Sequence, residues 1–198
     1  MKKLTVFLTT ILAVVTLDCY AQRSPSLAFL KGQEKLHVVL DFSDVLLQGE
    51  VEKFYLDKVS EEWVEAWETA KSTTFKDRLL EHLNKNVKSL QCGDYPEAEY
   101  QATIRVLTIQ RKGMGKNLEG PGTREITCEV VFTRTGDSES LAKVNIKSDS
   151  QANTTFAPSV VRDVSAVVGA AGSNAHLTGR AFDYVGQDLG KIITRRTR

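Results

Sequence analysis

Histidine and cysteine are the side chains of this 198-residue chain best suited to hold a metal ion. Short metal-binding motifs place two such ligands at fixed spacing, as in His-x-x-x-His or Cys-x-x-Cys. The chain has three histidines, at His37, His82 and His176, and no two of them have that spacing. The cysteines form no such pair either. The sequence therefore predicts neither a metal site nor a bound cofactor.

A glycine-rich segment from Lys112 to Thr123 carries the residues closest to a phosphate-binding loop. A true phosphate loop has the pattern Gly-x-x-x-x-Gly-Lys-Ser/Thr and connects a strand to a helix. Here Asn117 follows the lysine, and both flanking segments have the alternating pattern of strands. We therefore predict an exposed hairpin loop, which is a common place for recognition residues. Its candidate partner-binding residues are Met114, Lys116 and Leu118.

No nucleophile or acid–base pair is indicated. The chain has no Gly-x-Ser-x-Gly elbow. Asp41 and Asp44 could form a carboxylate pair, but no motif places them across a cleft, and solvated turn residues are the simpler interpretation. We therefore expect a protein that is not an enzyme.

Trp63 and Trp67 lie one helical turn apart. Such a pair can form a platform that stacks on a sugar or binds a partner. The alternative is the buried side of an amphipathic helix, which the sequence favours. Both tryptophans are candidate partner-binding residues under the first interpretation.

Gly172, Gly179 and Gly186 recur every seven residues. Glycine destabilises a helix interior by about 1 kcal/mol relative to alanine, so a regular stripe indicates a purpose such as close helix packing. The alternative is a loop that leads into the last helix. An exposed helical stripe would be a surface for self-association.

The amino terminus has the pattern of a secretory signal peptide. Lys2 and Lys3 precede an apolar run from Leu4 to Leu17, and Ala21 supplies the small residue at a cleavage site. The run is shorter than the ~20 residues that a spanning helix needs. We therefore predict a signal peptide over residues 1–21 and a mature chain that begins at Gln22. The expected location is periplasmic or extracellular. Association with the outer membrane is one alternative within this prediction.

Cys19 allows an alternative in which the cut precedes a lipidated cysteine. Leu17 and Asp18 are poor residues for that processing, so cleavage after Ala21 is favoured. The whole chain has a formal net charge of +1, and removal of the leader leaves basic and acidic residues in equal number. This balance gives no field that would attract nucleic acid, and at most peripheral contact with a membrane is expected.

Cys92 and Cys128 remain after cleavage. In an exported protein they could form a disulfide. Cys128 also lies on the apolar face of a predicted strand, so two buried apolar thiols are the alternative. Sequence alone supplies no geometry with which to choose.

The hydrophobic pattern predicts one domain over residues 36–194, after a leader over 22–35 and before a basic tail over 195–198. The expected elements are listed in chain order: a buried strand at Leu36–Phe42, a helix capped by Ser60, a helix over Phe75–Val87, a short strand at Leu90–Gly93, alternating strands from Tyr100 to Arg111, Arg124 to Arg134 and Ser140 to Lys147, a helical pattern over Val160–Ala171, and a closing helix over Thr178–Thr194. The segment from Ser43 to Asp57 is expected to be a loop with a short helical turn. The predicted fold is α/β (α+β), with one mixed sheet of four to five strands and two main helices on one face.

Three short segments resemble the TolB amino-terminal-like envelope domains, which include the curli-secretion lipoprotein, penicillin-binding-protein activators and auxiliary lipoproteins of ABC-type transport. Val38–Phe42 is similar to their opening strand, Ala98-Glu99-Tyr100 to the start of their middle strand, and Glu129–Ala142 to their hairpin with Thr135-Gly136 at the turn. The lipobox of those lipoproteins is absent, and the Lys112–Thr123 loop is too short for a membrane-spanning hairpin. The resemblance implies an envelope accessory domain that binds other proteins, and it carries over no catalytic residue.

The sequence thus predicts an exported, non-enzymatic envelope protein that binds a protein partner or self-assembles. A second hypothesis is an exported protein that binds a small ligand or glycan through Trp63 and Trp67. A third is a hydrolase whose residues converge only in three dimensions.

Overall fold

The computed structural model describes residues 26–112, 118, 123–149 and 172–197. Seven strands and four α-helices are described here. The strands are β1 (Lys35–Asp41), β2 (Leu46–Leu47), β3 (Glu50–Val51), β4 (Gln91–Gly93), β5 (Tyr100–Lys112), β6 (Thr123–Arg134) and β7 (Ala142–Asp149). The helices are α1 (Glu52–Leu56), α2 (Glu61–Thr69), α3 (Phe75–Asn86) and α4 (Gly172–Arg196).

All seven strands join one mixed sheet. The long strand β5 is central: β1 and β2 pair with it in parallel along one edge, and β6 pairs with it antiparallel along the other. β4 lies outside β1, and β7 lies outside β6. The predicted α/β class is therefore confirmed.

The count of four to five strands was too low, because two very short strands lie in the segment expected to be a loop. Leu46 and Leu47 pair with Thr108 and Ile109 on β5. The next pair of residues, Glu50 and Val51, turns back on them through a bend in which Gly49 has a φ of +85°. Strands of two residues are too short to show a period in sequence.

The helices cover one face of the sheet. The register of the strands aligns apolar residues across it: Val38, Ala102 and Phe132 form one row, Leu40, Ile104, Val130 and Val144 the next, and Val106, Cys128 and Ile146 a third. Most of these side chains are fully buried. Burial of apolar area at this scale, about 25 cal/mol per Å², is the main stabilising contribution to the fold.

The helix capped by Ser60 is confirmed, because the Ser60 hydroxyl accepts a hydrogen bond from the backbone N–H of Trp63 at 3.3 Å. The predicted break near residues 72–74 takes a different form. α2 and α3 are joined by one wide π-helical turn, Ala70–Thr74. This turn keeps the chain helical and sets Trp67 and Phe75 in contact, with ring centroids 5.4 Å apart.

α3 and α4 lie side by side in the same direction. Gly179 of α4 is next to Arg78, Gly186 is next to Leu79 and Leu83, and Gly190 is next to Asn86. The closing helix begins at Gly172, earlier than the predicted Thr178. The helical pattern predicted over Val160–Ala171 lies outside the described residues, as does the predicted signal peptide.

Candidate functional site

The two candidate tryptophans belong to the core. Trp63 and Trp67 stack on each other with ring centroids 5.5 Å apart and are only 2% and 1% exposed. The indole N–H of Trp67 donates to Glu52 Oε1 at 2.7 Å, and the ring of Tyr55 packs against Trp63 at 5.8 Å. The interpretation favoured from the sequence, a buried helix side, describes them in this conformation, and neither ring presents a face to a sugar.

Leu118 is also buried, although the sequence placed it on an exposed loop. Its backbone N–H donates to the Tyr55 hydroxyl at 2.5 Å, and its carbonyl accepts from Arg124 Nη2 at 2.6 Å. Leu118 is therefore held between Tyr55 of α1 and Arg124 of β6. Met114 and Lys116 lie outside the described residues, so their contact role stays a prediction.

The glycine stripe packs within the molecule. A Cβ atom added at Gly186 would lie 2.2 Å from the carbonyl oxygen of Leu79, and one added at Gly179 would lie 3.0 Å from Arg78 Cδ. Gly172 is the first residue of α4. The helical interpretation of the stripe is correct, but Gly179 and Gly186 serve the approach of α4 to α3, so they are not exposed for self-association in this conformation.

Cys92 and Cys128 are both buried and both free. Burial raises the pKa of each thiol to about 12. The buried apolar alternative therefore holds in place of the disulfide. Thiols in such surroundings are poor nucleophiles because the reactive thiolate form is disfavoured.

His37 and His82 have separate partners, and the side chain of His176 lies outside the described ones. His37 Nδ1 accepts a hydrogen bond from the backbone N–H of Tyr95 at 3.1 Å, which ties β1 to the turn after β4. His82 lies on α3, and His176 is the fifth residue of α4. The described part of the chain contains no group of three His, Cys, Asp or Glu side chains that could hold a metal ion. None of the described helices is both long and apolar enough to cross a membrane.

A groove of about 340 Å³ lies between α3 and α4 on the side away from the sheet. Asp183, one of its lining residues, accepts hydrogen bonds from Arg78 Nε at its Oδ1, at 2.9 Å, and from Arg78 Nη2 at its Oδ2. His82 Nε2 is 3.7 Å from the same carboxylate. The bidentate pair is part-buried and joins the two helices. The charged residues at the groove therefore have a structural role in helix packing.

The second face of the sheet carries a set of ion pairs that the sequence analysis did not identify. Ion pairs cross it in two rows. The first row is Asp41, Arg105, Glu129 and Lys143, with N–O distances of 3.5, 3.5 and 3.9 Å between neighbours. The second row is Lys147, Glu125, Lys112 and Asp149, with distances of 3.1, 2.7 and 2.6 Å. The alternating strands carried part of the signal, because their polar positions hold charges of both signs. Arg105 and Glu129 lie directly opposite each other, whereas Lys147 reaches Glu125 diagonally across the strands.

The ion pairs shift the pKa values of several of these groups. Burial opposes ionisation of Glu125, but hydrogen bonds from Lys112 and Lys147 outweigh it and lower the pKa of the carboxyl. The two carboxylates beside Lys112, Asp149 first and then Glu125, raise the pKa of the ammonium. At Asp41, hydrogen bonds from Ser43 and Arg105 exceed the effect of burial and lower the pKa. The face therefore carries both positive and negative charges at neutral pH.

Both rows extend onto β7, which contributes Lys143, Lys147 and Asp149. Among the described strands it pairs with β6 alone. Its exposed side chains are Lys143, Asn145 and Lys147, and the lysines are 59% and 66% exposed. A long edge strand with one open face can accept another chain by main-chain hydrogen bonding.

Comparisons with known proteins assign no family to the chain. No family model matches it, and no curated protein matches it. Several solved structures are similar in their chain trace, and three of them are described here. A dodecamer of a single-residue variant of PelC from Paraburkholderia phytofirmans has 11% sequence identity over 88% of this chain and 93% of its own, with a TM-score of 0.38.

Protein XCC0632 from Xanthomonas campestris, of the DUF330 family, has 11% identity over 87% of this chain and 92% of its own, with a TM-score of 0.42. The hypothetical protein CT253 from Chlamydia trachomatis has 8% identity over 82% of this chain and 99% of its own, with a TM-score of 0.38. The resemblance to TolB amino-terminal-like domains stays a prediction from sequence.

Proposed function

We propose that this chain is an exported, non-enzymatic accessory protein of the cell envelope that works by binding protein, either another chain or a second copy of itself. The observation that carries the proposal is the open side of the sheet. There, two rows of paired charges lead to β7, which forms an edge of the sheet among the described strands. A flat surface of this kind suits another protein better than a small ligand, which binds in an enclosed and mostly apolar pocket.

Export is supported by the sequence alone. The basic start, the apolar run from Leu4 to Leu17 and the small residue Ala21 have the order of a signal peptide. An envelope location follows as part of the proposal. The exported chain would act as a structural or assembly component and would use no cofactor.

The glycan-binding hypothesis loses its site in this conformation. It depended on Trp63 and Trp67, and both rings are packed inside the core. No observation on the described residues favours it over protein binding. The hydrolase hypothesis likewise gains no convergent set of catalytic side chains among those residues.

The test follows the full chain in a diderm bacterial host. We expect the protein in an envelope fraction, with Gln22 as its first residue by amino-terminal sequencing. Lysine-reactive cross-linking in intact cells should join it to protein. Val14→Arg, which places a charge in the apolar run, should leave the chain unprocessed in the cytoplasm. A wild-type chain that stays unprocessed, or that cross-links to no protein, would contradict the proposal.

A further inference from the structure

The strand β7 is the one long edge of the sheet among the described strands. The other edges are formed by β3, with two residues, and β4, with three, whereas β7 has eight. Long edges with unpaired N–H and C=O groups are templates for another strand. The edge of β7 is therefore the place where a partner can continue this sheet.

The side chains of β7 alternate between two environments. Val144, Ile146 and Ser148 face the helices and are 5%, 4% and 2% exposed. On the open face the order along the strand is Lys143, Asn145, Lys147 and Asp149. The strand thus begins with a cation and ends with an anion on the same face, which gives it a charge pattern that can complement itself when reversed.

The helix above this edge can be placed by one hydrogen bond. The Ser148 hydroxyl lies 2.8 Å from Asp188 Oδ2, so Asp188 points toward β7. Residues three or four and seven positions away on a helix share its side, which places Tyr184, Ile192 and Arg195 on the same flank. Ile192 is partly buried and packs against the core.

α4 runs opposite to β7. Three observations fix this: β7 and β5 have the same direction because both are antiparallel to β6, α3 returns the chain between the parallel strands β1 and β5, and α4 follows the direction of α3. A helix rises about 1.5 Å per residue and a strand about 3.4 Å. Moving from Ser148 back to Ile146 therefore corresponds to moving from Asp188 forward to about Ile192.

We propose that a second copy of this chain pairs its β7 antiparallel with β7, about a two-fold axis through Ile146. This inference rests on the proposed function and names the partner and the surface. In this register Lys143 faces Asp149 of the second copy, and Asn145 faces Lys147 of the second copy. The sheet continues from one copy into the other, and each charge on the open face meets an opposite or neutral group.

The charge pattern selects this register over its neighbours. A shift of two residues in one direction places Lys143 opposite Lys147 of the other copy. The same shift in the other direction places Lys147 opposite Lys147. Like charges directly opposite each other destabilise a strand pair, and a shift of one residue would turn the apolar side chains to the open face.

The position of α4 in each copy is consistent with the same two-fold axis. Because Ile192 lies above Ile146, the two Ile192 side chains approach each other across the axis. Asp188 of one α4 then lies near Arg195 of the other. An isologous contact of this kind uses the same patch on both copies and closes at two.

A charge exchange between copies tests the inference on the protein purified after production of the full chain. Sedimentation velocity should give twice the chain mass for the wild type. Lys143→Asp sets a new carboxylate against Asp149 of the second copy, and Asp149→Lys sets two lysines against each other. Each variant alone should dimerise at least tenfold more weakly. An equal mixture of the two should recover the dimer, because both pairs between positions 143 and 149 across the axis are then opposite in charge.

A matched control and a second variant keep the test independent of folding. Lys58→Asp makes the same charge change at an exposed lysine outside β7 and should leave the dimer unchanged. Asn145→Lys should favour the monomer, since the new lysine lies beside Glu129 of β6 and opposite Lys147 of the second copy. Circular dichroism checks that each variant is folded.

Three results would overturn the inference: a monomeric wild type at every concentration reached, single variants that dimerise like the wild type, or folded variants whose mixture stays monomeric. Cross-linking of the wild type to a different protein in intact cells, together with any of these results, would leave the proposed function in place and remove only the second copy as its partner.

Discussion

The two faces of the sheet are built from the same strands but are stabilised in different ways. On the helix side, Ile104 is fully buried among apolar neighbours. On the other side of the same strand, Arg105 is 41% exposed and lies 3.5 Å from carboxylate oxygens of Asp41 and Glu129. The first face excludes water and sets the fold. The second keeps its charges paired near water, where each pair contributes little to stability, so its pattern is free to serve recognition.

Alanine substitutions at two consecutive residues, one on each face, test this difference most directly. Ile104→Ala should lower the free energy of unfolding by about 2–5 kcal/mol, since it removes buried methyl groups and leaves a cavity. Arg105→Ala, one residue away on the open face, should lower it by no more than about 1 kcal/mol. Urea unfolding followed by circular dichroism measures both values. Equal losses would show that the open face is covered and that the comparison is wrong.

Two glycines of α4 allow a second comparison, between a position packed against backbone and a position packed against side chains in the helix layer. Gly186→Ala should cost about 1–3 kcal/mol, because its Cβ would overlap the carbonyl oxygen of Leu79, which is backbone and cannot move freely. Gly179→Ala meets side chains and no backbone atom: its Cβ would lie 3.0 Å from Arg78 Cδ and 3.8 Å from Thr74 Cγ2, and the helix propensity of alanine offsets these contacts. The midpoint of thermal unfolding should fall for the first variant and change little for the second. A stable Gly186→Ala would mean that α3 and α4 are farther apart.

The cysteines test how well the covered face excludes solvent. Cys128 lies at full burial, and burial raises its pKa to about 12. A thiol reagent should therefore leave the native protein unlabelled and react only after denaturation. Cys128→Ser should destabilise by about 1–3 kcal/mol, because it buries a hydroxyl in apolar surroundings. Rapid labelling of the native protein, followed by mass spectrometry, would contradict this packing.

Of the changes considered, acidification should have the smallest effect on stability, and it acts through the ion pairs of the open face. The pKa of Glu125 is lowered in the folded state, so the stability it contributes is present above the pKa of the unfolded chain and is lost as pH falls through the folded value. The loss should appear below pH 4.5, the ordinary value for this group. Glu125→Gln should reduce the pH dependence of the urea midpoint as the solution is taken from neutral to acid. An unchanged dependence would show that its pairs with Lys112 and Lys147 are not formed.

Most of the covered face could be predicted from sequence, because its signal is the periodic recurrence of apolar residues. The alternation from Tyr100 to Val106 indicated the central strand, and the four-residue spacing from Phe75 to Leu83 indicated a helix. The short strands at Leu46–Leu47 and Glu50–Val51 could not be found in this way. They are ordered by pairing with β5 and by a bend at Gly49, which are contacts between distant parts of the chain.

The open face could not be predicted, although its residues were visible. Arg105, Glu129 and Lys143 belong to three different strands, and their pairing depends on register. The register in turn includes an irregularity between Val106 and Thr108, which no local pattern reveals. The tryptophans show the opposite case, where a local pattern was clear but only packing could decide between a binding platform and a core.

The wide turn at Ala70–Thr74 has a consequence for how this chain tolerates insertions and deletions. A π-helical turn holds more residues than a regular turn of the same height. Removing one residue there would restore a regular helical turn of about the same height, whereas the same deletion within a regular helix would rotate everything beyond it by about 100°. Phe75 and Leu79 would then still face the sheet. Homologues that are one residue shorter in this connection should therefore keep the apolar pattern of the downstream helix unchanged.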